Sequence, residues 1–70
     1  MITDEVMVAL IRESVSSESR SRRAAARIIL DAIRSDSVFQ LTPARAETVR
    51  ADEGPAVAEE MHALVERLGL

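Results

Sequence analysis

The stretch TDEVMVALIRESVSSESRSRRAAARIILDAIR, residues 3–34, decides the fold class. Thr3 is a good N-cap, and Asp4 and Glu5 follow it in the first turn, where acids suit the positive end of the helix dipole. Val6, Met7, Leu10, Ile11 and Val15 recur at helical spacing as one apolar stripe, with Arg12 and Glu13 away from it, which predicts a helix over about 3–16. The polar run Ser16 to Ser21 is rich in residues that favour caps and turns. It reads as a turn, with Ser17 or Ser19 capping a second helix over about 20–34. One continuous helix from Thr3 to about Arg34 is the competing reading, because the two apolar stripes differ in direction by only about 50°, which a slow supercoil absorbs. The second helix buries Ala25, Ala26, Ile29, Leu30, Ala32 and Ile33, with Ile28 at one margin. Arg20, Arg23, Arg27, Asp31 and Arg34 fall within an arc of about 80° on its other side. Arg27 and Asp31 are spaced to pair.

Outward from this pair of helices, Ser35-Asp36-Ser37 ends the second, and Val38, Phe39 and Leu41 form a short apolar link. Thr42-Pro43 is a helix start, with Thr as N-cap and Pro at the first helical position, where its missing N–H costs nothing. The helix over about 43–52 is poorly amphipathic, with only Ala44, Val49 and Ala51 to bury. Gly54-Pro55 interrupts it, since proline disfavours helix at the residue before it. The last helix, about 55–68, carries Val57, Met61, Leu64, Val65 and Leu68 as its stripe, with Glu59, His62 and Glu66 opposite. The expectation is one all-α domain over residues 1–70, a small bundle of three to four short helices. The first, second and last stripes pack together and the 43–52 segment lies across or outside them. Met7, Ile11, Ile29, Ile33, Met61, Leu64 and Leu68 are expected to be buried, some at a subunit interface.

Composition agrees with helix: the 70 residues are rich in Ala, Leu, Glu and Arg, with two Gly, two Pro and Phe39 as the sole aromatic. A chain this short buries only about 60% of the surface it exposes when unfolded. With no Cys, disulfides and thiolate metal sites are excluded, so a homo-oligomer is expected to supply further burial. No apolar run approaches the roughly 20 residues of a membrane span, and no secretory signal is legible. A cytoplasmic protein of a bacterial or phage-infected cell is the expectation, with no membrane partner.

The net charge of −3 is unevenly spread. Residues 1–19 hold four acids and one Arg, residues 20–34 five Arg and one Asp, and residues 35–70 seven acids and three Arg. Arg20, Arg22, Arg23, Arg27 and Arg34 are therefore the candidate contacts, either for carboxylates of neighbouring helices or an acidic partner, or for nucleic-acid phosphates. A helix-turn-helix around Ser16 to Ser21 has the right scale and a basic second helix, but lacks the Gly that such a turn favours. Phe39, beside Val38 and Leu41, either plugs the gap between the helical hairpin and the last helix or anchors a partner. Glu59-x-x-His62, with Glu66 one turn on, has the spacing of a di-iron bundle ligand pair, but a second element would have to complete the site. One His, no Cys and no glycine-rich phosphate loop leave no catalytic constellation, and neither cofactor nor metal is expected.

Val38-Phe39-Gln40-Leu41-Thr42-Pro43 and the helical segments after it, to residue 68, resemble the end of the wing and the succeeding helix of multiple-antibiotic-resistance-type winged-helix repressors. The Asp-Arg-Arg run before the wing is missing, and no DNA-contacting residue carries over. Met1-Ile2-Thr3-Asp4-Glu5, together with the Arg-Arg-Ala-Ala-Ala-Arg-Ile-Ile-Leu-Asp-Ala run at 22–32, resembles small actinobacteriophage proteins that pair an acidic first helix with an Arg/Ala-rich second one. That resemblance implies a phage accessory, regulatory or assembly role. The expected function is a non-enzymatic helical protein-interaction or self-assembly module, and the alternative is a nucleic-acid-binding transcriptional regulator that uses the Arg-rich helix.

Overall fold

Three residues, Ser17, Glu18 and Ser19, separate the first two helices, so the reading of a single long helix gives way to a helical hairpin. The Ser17 hydroxyl accepts the Ser19 N–H at 3.3 Å. Ser19 caps the second helix: its hydroxyl accepts the Arg22 N–H at 3.2 Å and its carbonyl accepts the Arg23 N–H at 3.0 Å. The Arg23 guanidinium reaches back to the Ser17 carbonyl at 2.6 Å, bracing the turn from outside. The helices of this computed structural model are α1 (Asp4–Ser16), α2 (Arg20–Asp36), α3 (Pro43–Glu53) and α4 (Pro55–Leu68). The structure describes residues 2–36 and 39–70, with Asp36 by its backbone alone, and no strand occurs among them. Ser37 and Val38, expected to end α2 and begin the apolar link, lie outside the described residues.

Each helix start follows from its capping chemistry. Thr3 accepts the Val6 N–H at 3.3 Å, and Thr42 accepts the Arg45 N–H at 3.2 Å with Pro43 in the first turn. Gly54 alone joins α3 to α4, at φ +100° and ψ 161°, a region of backbone space essentially reserved for glycine. Its N–H closes α3 on the Arg50 carbonyl at 3.1 Å while its carbonyl accepts the Ala58 N–H at 3.2 Å. Gly69, left-handed at φ +70°, ends α4 in a Schellman arrangement: its N–H meets the Glu66 carbonyl and the Leu70 N–H meets that of Val65 at 3.0 Å.

Helix α2 is the centre of the molecule. It packs against both α1 and α4, and α4 in turn carries α3. Leu10 of α1 shares one apolar cluster with the buried residues of α2 and α4, though α1 lies mainly on α2; among the described residues the Glu13–Arg67 ion pair reaches from α1 to α4. Ala25, Ala26, Ile29, Leu30 and Ile33 are buried on α2, and Val57, Ala58, Met61 and Leu64 on α4. The alanines leave room for the neighbouring helices to approach closely. Helix α3 buries only Val49; Ala44 and Ala51, expected inside, are exposed because α3 is covered on one side alone. The Cα radius of gyration, 10.9 Å, matches the roughly 11 Å of a folded chain of this length. The four helices thus close around a core within one chain.

Helix α1 departs furthest from expectation. Leu10 and Ser14 face inward, and the Ser14 hydroxyl donates to the Ile11 carbonyl at 2.7 Å, which removes the cost of burying it. Val6 and Met7 are half-buried, as is Leu68 on α4. Ile11, expected to be buried in the core or at a subunit interface, is 45% exposed in the single chain, and Val15 is 73% exposed. The apolar arc of α1 spans roughly 200° of its circumference, more than α2 alone can cover.

Candidate functional site

The five arginines of α2 divide into two sets. Arg22 points across the bundle: its Nε donates to Glu60 Oε2 of α4 at 3.0 Å and lies 4.0 Å from Glu13 Oε2 of α1. Glu13 in turn accepts Arg67 Nη2 at 3.0 Å. The chain Glu60–Arg22–Glu13–Arg67 ties α1, α2 and α4 across their polar margin. The Glu60 hydrogen bond and charge, then the Glu13 charge, push the Arg22 guanidinium further up from an already high pKa. Its positive charge is therefore constant through the physiological range. Arg23 is committed to the Ser17 carbonyl. Two of the five candidate contacts are thus occupied by the chain's own oxygens.

Arg20, Arg27 and Arg34 form the second set. All three are exposed, seven residues apart, and make no ion pair among the described residues. They form a row along the solvent side of α2 with steps of about 10 Å. Asp31 stands within that row, and the Arg27–Asp31 pair that its spacing invites is not formed among the described residues.

Phe39 is 2% exposed, inside the apolar cluster with Val49, Met61 and Leu64, and the Arg45 guanidinium carbon lies 5.1 Å from its ring centroid. The residue fills the core, and its role as a partner anchor is withdrawn because its ring has no surface to offer. Arg45, not singled out from the sequence, is the residue that lies over it. Glu59 and His62 sit with Leu41, Ala46, Arg50 and Ala58 around a shallow groove of about 270 Å³ between α3 and α4. Among the described residues no group of three or more His, Asp or Glu side chains is arranged to hold a metal ion, and no helix is long and apolar enough to cross a membrane.

The most distinctive surface is the outer face of α1. Val8 is 48% exposed and lines up with Ile11 and Val15 at steps of three and four, so the three occupy about 60° of arc. Single exposed apolar residues are ordinary, but an ordered stripe of three large ones on one helix is an interaction signal. Helical spacing groups Ile11 and Val15 with Val6, Met7 and Leu10 in one apolar stripe and leaves Val8 out. The three-and-four spacing from Val8 to Val15 was the signal available, hidden because the same helix carries a second apolar set at Val6, Met7 and Leu10. Beside the stripe a shallow depression of about 360 Å³ is lined by Asp4, Glu5, Val8, Ala9 and Arg12.

Compared with protein-family models, with curated proteins and with solved structures, the chain matches none.

Proposed function

We propose that this chain is a small non-enzymatic interaction module that docks through the outer face of α1. The observation that carries the reading is the exposed Val8–Ile11–Val15 stripe on a helix whose opposite side already holds the core. Docking by helix-to-helix or helix-in-groove contact needs apolar anchors at this spacing. Completing the burial of the three side chains contributes about 3–4 kcal/mol, a weak contact once the cost of association is set against it. The polar flanks Glu5 and Arg12 supply orientation. The resemblance of the Arg/Ala-rich run to small actinobacteriophage proteins supports an accessory role in a phage-infected bacterial cell, working by assembly with other proteins.

A photo-cross-linking residue in place of Ile11 tests this in cells expressing the chain. The expected product is a protein–protein adduct from position 11 and none from a control at position 27. No adduct from position 11 overturns the reading.

The row Arg20, Arg27 and Arg34 supports a second reading, in which α2 lies along a nucleic-acid backbone. Two features weigh against it: Arg22 and Arg23 are spent inside the fold, and Asp31 interrupts the row. Adducts to nucleic acid from position 27 would promote it to first place.

A further inference from the structure

We propose that the partner of α1 is α1 of a second copy, running antiparallel, with Val8 of each chain facing Ile11 of the other. The inference rests on the interaction reading above and names the occupant of that face. Spacing is the first argument. Asp4, Val8, Ile11 and Val15 follow one another at steps of four, three and four, the seam along which two like helices interlock side chains. Charge decides the direction. Glu5 and Arg12 flank the seam on the same side, seven residues apart and both exposed. A twofold axis passing between residues 9 and 10 brings Glu5 of each copy beside Arg12 of the other. A parallel pair instead sets Asp4 against Asp4 on the seam, separates Glu5 of each copy from Arg12 of the other, and aligns both helix dipoles. Shape agrees: the depression of about 360 Å³ is lined by Val8, small Ala9 and the flanking Glu5 and Arg12. It has room for the aliphatic stem of the partner's Arg12, whose guanidinium then reaches Glu5.

The pair is weak by construction. Helix α1, 13 residues, is about 20 Å long, and one face of it is smaller than the roughly 800 Å² per partner of a stable interface. Self-association is therefore a function of local concentration, as suits a component gathered at an assembly site.

Sedimentation equilibrium of the full chain, taken to about 1 mM, tests the pairing. The mass is expected to climb from 7.7 kDa toward twice that value, while Ile11→Glu stays monomeric with an unchanged helical circular dichroism spectrum. The chain has no cysteine, so introduced thiols report geometry without background. A mixture of Asp4→Cys and Val15→Cys chains is expected to form the mixed disulfide on mild oxidation, with little Asp4→Cys homodimer. A dominant Asp4→Cys homodimer means parallel pairing and overturns the proposal, as does an oligomer that survives Ile11→Glu. A monomer at every concentration also overturns it. In that case an adduct from position 11 to a different protein leaves the interaction reading standing, and no adduct removes both.

Discussion

At the scale of single residues, strain and burial separate cleanly. A Cβ added at Gly54 meets nothing within 4 Å, so packing predicts that Gly54→Ala is harmless. Backbone conformation predicts otherwise, since φ +100° with ψ 161° is hostile to any side chain. We expect Gly54→Ala to cost about 1–3 kcal/mol, read as a lower urea midpoint with unchanged slope. Met61 offers the opposite case: fully buried, with ordinary helical backbone. Met61→Ala is expected to cost about 2–5 kcal/mol through lost burial and the cavity left behind. Val15→Ala, at 73% exposure, is expected to change the monomer's stability by less than about 0.5 kcal/mol. If Val15→Ala destabilised as much as Met61→Ala in dilute solution, the description of α1's outer face would be wrong.

Among the elements, each helix was legible where local chemistry and periodicity agreed. Thr42-Pro43 announced α3, Ser17 to Ser19 announced the break before α2, and the Ala25 to Ile33 stripe announced the centre of the core. The face that α1 buries was not legible. Its apolar residues cover too wide an arc for periodicity to choose a side, and the choice fell to Ser14, a residue small enough to sit against α2 once its hydroxyl has the Ile11 carbonyl. Burial also ranks the helices by resistance to opening. Helix α2 packs against both α1 and α4 and buries five residues, whereas α3 contributes Val49 alone to the core. Amide hydrogen exchange is expected to be slowest over Ala26 to Leu30 and fastest in α3; the reverse order would contradict the arrangement. Thr42→Ala, which removes the cap of α3, is expected to cost about 1 kcal/mol and to speed exchange at Arg45 first.

For the molecule as a whole, the charge pattern was readable from the sequence but its use was not. Of the five arginines in fifteen residues, helical spacing puts Arg20, Arg23, Arg27 and Arg34 on one face and Arg22 on the other. Folding turned Arg22 toward Glu60 and Glu13 and Arg23 toward the Ser17 carbonyl, contacts between residues as distant as 22 and 60 that no local spacing reveals. Three arginines in a row, each neutralising one phosphate, limit the salt slope of any duplex binding to about −3. Mobility shifts should therefore disappear by physiological salt, and tight retention there would mean that Arg22 leaves its carboxylates. One joint sets the posture of the entire C-terminal half. Because a lone residue connects α3 to α4, the 11 residues of α3 act as a lever about 16 Å long. A rotation of about 20° at that pivot sweeps the far end, where Thr42 stands, through about 6 Å. Just beyond this tip Phe39 is lodged in the interior, like a bolt in its keeper. A turn at residue 54 that leaves α3 folded is therefore expected to show itself first as a loosened ring at residue 39, at the opposite end of the helix.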